Sequence, residues 1–339
     1  MEDNLLTNLY NNYSLKFRLT PHSKLIFSTL LVQNLTPFII SKIVHNKILD
    51  VSNTLKVLAY FDIFDSPLLD KEIVNLTNES NLQEDIIKTL LNTQKCYKYN
   101  NYYSLKKNVK ELVTKRLKKE KEAQKYIKKL PFFVSLISKF PFVRGIAISG
   151  SLSKGVMYAD GDIDYFIITA ANRLWICRSF LIIFKKIFLL NSKKYFCVNY
   201  FVDENNLEIH DQNMFTAVEI SYLKPVYNEA IINQLKEKNS WIKGYFPNFV
   251  HPFNFPLKTN KNNKNKGLES IFTDSFADKF DLWLMKKTFK RWENKFKHFN
   301  KEKFELTMRT NRGVSKHHPQ DFQNKVLREL DEKMLNLKI

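Results

Sequence analysis

Val143-Arg144-Gly145-Ile146-Ala147-Ile148-Ser149-Gly150-Ser151-Leu152-Ser153-Lys154-Gly155, then Asp160-Gly161-Asp162-Ile163-Asp164-Tyr165-Phe166-Ile167-Ile168-Thr169, is the stretch whose reading decides the fold. Val143 to Ile148 is a short apolar run suited to a buried strand, and Tyr165 to Ile168 is a second. Between them lie a Gly-Ser turn, a further glycine and a pair of aspartates. The chain has only seven glycines, and four of them (145, 150, 155 and 161) fall in this window. Such clustering in a glycine-poor chain marks turns that need positive φ or close backbone approach.

Asp162 and Asp164 are two residues apart, so in an extended strand both side chains point to one face. Two carboxylates on one face repel each other unless a cation lies between them. Paired oxygen ligands suit Mg²⁺, which keeps waters and takes substrate phosphates as its remaining ligands. The Gly150-Ser151 turn lets backbone N–H groups and the Ser151 hydroxyl approach phosphate oxygens, with Lys154 as a helper. A phosphate cradle beside metal carboxylates predicts phosphoryl or nucleotidyl transfer. A P-loop is excluded, because Ser151 stands where that motif needs its phosphate-binding lysine.

The segment resembles the signature of the DNA polymerase beta-like nucleotidyltransferase superfamily. That signature is a hydrophobic residue, Gly and Gly or Ser, then about ten residues, then Asp, a hydrophobic residue and Asp or Glu. Ile148-Ser149-Gly150-Ser151 matches its first half and Asp162-Ile163-Asp164-Tyr165 its second, with ten residues between Ser151 and Asp162. Gly155 fits the extra glycine common in the small-molecule and minimal branches. The motif covers residues 150–165, and the implied core spans 131–225. The resemblance implies an α+β fold with a nucleotidyltransferase-type mixed sheet and flanking helices. It also implies a two-metal Mg²⁺ site on Asp162 and Asp164, and a nucleoside triphosphate such as ATP bound at Gly150 and Ser151. The expected reaction moves a nucleoside monophosphate to an acceptor that the sequence does not identify: a small molecule, a protein or RNA. The family places a third carboxylate on a later strand. Tyr195 to Val202 reads as that strand, but its middle holds Asn199. Glu208 is taken as the third acid, with Asp203 as its rival.

Outward from this core, residues 1–50 form an N-terminal segment, helical from Ser23 to Ile48. Residues 51–106 read as three short helices and a hairpin centred on Asn100-Asn101, a winged-helix-like module. The third of those helices carries Glu84 and Asp85 and only one lysine, which suits protein packing better than a DNA groove. Residues 107–130 are a basic connector helix with one buried stripe, closed by Pro131. Residues 226–339 read as a helical C-terminal domain with a polar, flexible stretch at Lys258–Lys266. In this domain Trp283, Phe289, Trp292 and Phe296 are expected in the core, and His317-His318 in a turn.

The 339-residue chain carries 54 Lys plus Arg against 34 Asp plus Glu, a net charge of +20. Segment 106–129 contributes +8 and segment 285–301 +6 of this. Such flanks can concentrate a triphosphate or RNA. They also admit an alternative: a nucleic-acid-binding or nucleotide-sensing protein whose transferase domain is silent. Three scattered cysteines support neither a disulfide framework nor a zinc ribbon. Met1-Glu2-Asp3-Asn4 is no signal-peptide opening, and charges interrupt the apolar run from Leu174 to Leu190. A cytoplasmic location without a membrane span is expected.

Overall fold

The computed structural model describes residues 51–77, 83–253, 255, 269, 270, 272 and 274–337. The expected helix at Ser23–Ile48 and the polar stretch at Lys258–Lys266 lie outside these. The chain divides into two compact units, Met1–Asn53 and Thr54–Ile339; the elements below belong to the second.

Residues 54–62 are helical (α1). Asp65, at φ 51°, turns the chain into β1 (Leu68–Leu69) and α2 (Asp70–Leu76). Glu72 caps α2 by accepting the Leu69 N–H at 2.9 Å. After α3 (Gln83–Asn92), β2 (Tyr97–Tyr99) and β3 (Tyr102–Ser104) form the expected hairpin. Asn100 takes the left-handed conformation at its turn, which asparagine tolerates. The three strands pair antiparallel in the order β1-β3-β2. In α4 (Val109–Ile127) the buried stripe includes a cation, Arg116. Its guanidinium reaches Glu72 with both terminal nitrogens, Glu120 with Nε and the Pro67 carbonyl. The basic helix is thereby locked to the small module by a paired buried charge. Pro131 does not close α4. It sits in the first turn of α5 (Leu130–Ser138), where a missing N–H costs no helical bond.

The main sheet holds β4 (Val143–Ile148), β5 (Asp164–Thr169), β6 (Cys197–Asp203), β7 (Lys224–Tyr227) and β8 (Val314–Lys316), in the order β7-β4-β5-β6-β8. β5 and β6 are parallel and the other neighbours antiparallel. A four-residue helix α6 (Gly150–Ser153) follows β4, and α7 (Leu174–Phe188) makes the parallel crossover from β5 to β6. Then come α8 (Met214–Ser221), α9 (Glu229–Lys238), α10 (Asp274–Lys295), α11 (Lys301–Thr307) and α12 (Phe322–Asn336). Alternation along the strands, with one extra residue at Asn199 in β6, sends Ile146, Ile148, Tyr165, Ile167, Val198 and Phe201 into one core with Leu174, Trp175 and Trp292. On the other face Gly145 packs against Ile231 and Ile232 of α9.

The class is α+β with mixed sheets. The C-terminal region differs from the expectation of helices alone, because Val314–Lys316 pairs with β6 as an edge strand of the main sheet. Trp292 of α10 and Phe296 just after it are core residues as expected, while Phe289 is half-buried and Trp283 half exposed. Among the described residues no helix is long and apolar enough to cross a membrane.

Candidate metal and phosphate site

The site is built where β4 ends and β5 begins. The Ser149 N–H donates to the Asp164 carbonyl at 3.0 Å, closing the two strand ends together. Gly150 then adopts φ +64° and opens α6. A Cβ at Gly150 would strike the Asp164 carboxylate, so only glycine lets turn and carboxylate touch. Gly155, at φ +75°, returns the chain. The Ser151 hydroxyl lies at this turn, half-buried, 3.9 Å from the Met157 thioether.

Asp162 and Asp164 flank Ile163, which is fully buried and pinned by two backbone bonds, from its N–H to Lys194 and from the Cys197 N–H to its carbonyl. Burying Ile163 forces both aspartates to the opposite side, so the i, i+2 spacing acts as expected. The parallel register sets Cys197 beside Asp164. One ligand atom each from Asp162, Asp164 and Cys197 lie within 4.8 Å of one another. Burial pushes the Asp164 carboxyl up to about 7, with the Asp162 charge adding to it. Burial and the two carboxylates push the Cys197 thiol up as well. Both effects describe a place where negative charge is crowded and poorly solvated, which a cation would relieve.

The donor set fits a divalent cation on two carboxylates. The thiol is a softer donor than Mg²⁺ uses and suits Zn²⁺ better. Asn199 does not take an acid's place among the ligands. A register shift between β5 and β6 leaves it as an extra residue, and its amide donates to the Cys197 sulfur at 2.7 Å.

Neither acid expected from the sequence joins the pair. Glu208 is exposed in the loop after β6. Asp203 is buried at the other end of β6, opposite Thr169, and accepts from the N–H groups of Asn172 and Asn205 and from the Asn206 amide. The third carboxylate near the pair is Glu219 of α8, which the sequence reading missed. Its Oε2 accepts from the Gly150 N–H at 3.4 Å and its Oε1 pairs with Lys154 Nζ at 2.8 Å. Its charge is also felt by Asp164. The signal was available: Glu219 is the lone acid in the apolar segment Met214–Ser221. Lys154 is held in place by that pair and by the Gly150 carbonyl at 3.0 Å.

Basic helix α4 borders the loop that carries the acids. The Lys119 carbonyl accepts the Met157 N–H, the Lys119 ammonium lies 4.2 Å from the Tyr158 ring, and Tyr126 donates to the Gly161 carbonyl at 3.1 Å. On the α7 side burial pushes the Lys185 ammonium below its ordinary value, with the Asp162 charge acting against that. His317 and His318 are held neutral by burial, which pushes their imidazoles down to about 3 and about 4.

Comparisons of the chain with protein-family models, curated proteins and solved structures give no match.

Proposed function

We propose that this chain is a Mg²⁺-dependent nucleotidyltransferase that moves a nucleoside monophosphate from a triphosphate to an acceptor and releases pyrophosphate. One observation carries the reading: the Gly150 turn and the Asp164 carboxylate are in contact, so a phosphate seat and a cation seat share one edge. Asp162 and Asp164 would hold the cation, which supplies charge neutralisation when bound. The N–H groups at Gly150 and Ser151, with the Ser151 hydroxyl, would donate to the β and γ phosphates. Lys154 would neutralise charge beside them once it exchanges Glu219 for phosphate. These parts do their work by positioning and electrostatics rather than by covalent chemistry. Glu219, released from Lys154, is better placed than Glu208 to orient an acceptor, since its charge reaches Asp164. The mixed sheet, with a Gly-Ser helix after one strand and carboxylates opening the next, supports the superfamily fold. The order helix, strand, two helices, hairpin supports a winged-helix reading of residues 54–104.

A second reading, a nucleotide sensor with a silent transferase domain, is favoured by Asn199 and by the Lys154–Glu219 pair that already fills the phosphate seat. One experiment separates the two. The protein is incubated with Mg²⁺, each labelled ribonucleoside triphosphate and cell lysate, and label transfer and pyrophosphate are followed. The enzyme reading expects transfer that vanishes in the folded Asp162→Ala, Asp164→Ala double variant. Binding without pyrophosphate supports the sensor. Transfer that survives the double variant refutes the assigned site.

A further inference from the structure

Arg178 lies in the second turn of α7 and is 9% exposed. Its guanidinium carbon sits 4.8 Å from the Trp292 ring and 5.6 Å from the Trp175 ring. It makes no hydrogen bond or ion pair with any described residue, and its Nε is buried without a partner. The other buried or half-buried arginines among the described residues all meet carboxylates: Arg116 with Glu72, Arg144 with Glu269, Arg173 and Arg312 with Asp278, and Arg309 with Asp211. Arg178 is the exception, and the charges that act near it have its own sign. Arg291 opposes its protonation, and Lys295 acts together with it on His317. His317 stands 4.9 Å from Trp292, so an imidazole borders the same indole.

A planar cation packed beside two indoles that meet each other edge to face, with its Nε buried and lacking an acceptor, is an incomplete pair. Cation–π contact alone does not satisfy N–H groups that lie in the plane of the fork. From this juxtaposition of Arg178, Trp175, Trp292 and His317 we infer a binding site for a phosphate group. A compact oxyanion of charge near −2 matches the guanidinium fork and the cations around it. This inference is independent of the transferase reading, since none of these residues belongs to the Asp162, Asp164 and Gly150 cluster.

The test uses inorganic phosphate against chloride at matched ionic strength, so that screening is common to both arms. Thermal unfolding and tryptophan fluorescence are followed for the full chain and for Arg178→Met, which keeps an aliphatic stem beside the indoles. The wild type is expected to melt higher in phosphate than in chloride, and phosphate to change the emission of its buried indoles. Arg178→Met is expected to melt above the wild type in chloride, because an unpaired buried cation is gone, and to lose the phosphate response. A wild type indifferent to phosphate overturns the site, and so does a variant that responds as the wild type does. Should Arg178→Met fail to fold, Arg178→Lys replaces it. Lysine keeps the charge without the fork, so phosphate affinity should fall about tenfold or more; an unchanged affinity overturns the inference.

Discussion

Replacing Asp164 by asparagine isolates the cost of the charge crowded at the start of β5. The side chain keeps its shape, loses its ability to ionise and exchanges one acceptor oxygen for an amide donor. In the folded chain burial and the Asp162 charge raise the Asp164 carboxyl from 3.8 to about 7. The sign follows from linkage. Above 3.8 the unfolded chain has released this proton while the folded chain still holds it, so stability falls as pH rises between the two values. At about 1.4 kcal/mol for each tenfold in proton affinity, the wild type forfeits about 4 kcal/mol by pH 8 in metal-free buffer. Asp164→Asn removes that slope. The assay is urea unfolding of both proteins from pH 4 to pH 8 with a chelator present, read as the difference between the two curves. The variant should gain on the wild type steadily up to pH 7 and then level off. Adding Mg²⁺ or Mn²⁺ at pH 8 should restore most of the difference to the wild type and leave the variant unchanged, since a cation binding only the folded state stabilises by mass action. A difference curve that is flat with pH, or a variant stabilised by metal as much as the wild type, refutes the picture of two poorly solvated carboxylates that share a cation.

Further outcomes can be checked with standard measurements. Gly150→Ala meets both a left-handed backbone and the Asp164 carboxylate; it should cost about 1–3 kcal/mol in denaturant unfolding and abolish triphosphate binding by calorimetry. Glu219→Gln should free Lys154 and tighten triphosphate binding, whereas Lys154→Met should weaken it; equal affinities in both variants would show that the pair lies outside the phosphate seat. Arg116→Met leaves Glu72 buried without its partner, so unfolding should come about 3–5 kcal/mol earlier, with protease cutting first in residues 62–108. His317, His318 and His251 are held neutral, at about 3, about 4 and about 4 against an ordinary 6.5. Their contribution is present above 6.5 and lost as pH falls toward 4, so the Asp164→Asn variant, free of the opposing slope, should show a steeper acid loss than the wild type below pH 6.5.

Local spacing determined much of this protein before any tertiary contact is considered. Glycine at 150 and 155, aspartates at 162 and 164 and the hairpin at Asn100-Asn101 act over a few residues, where strand alternation and positive φ leave little choice. The identity of the third donors was another matter. Cys197 reaches the aspartates only because β6 lies parallel to β5 in one register, and Glu219 reaches Gly150 only because α8 packs at that end of the sheet. The same holds for Val314–Lys316, whose three residues carry too short a pattern to announce a strand and become one by pairing with the free edge of β6. Arg116 and Arg178 look alike in the sequence, each a cation in a helix; burial opposite Glu72 completes the first, and burial beside two indoles leaves the Nε of the second without an acceptor. The sequence by itself thus determined where charge and turns must sit along the chain. The tertiary structure decided which charges are paired, because pairing depends on neighbours that sequence distance does not reveal.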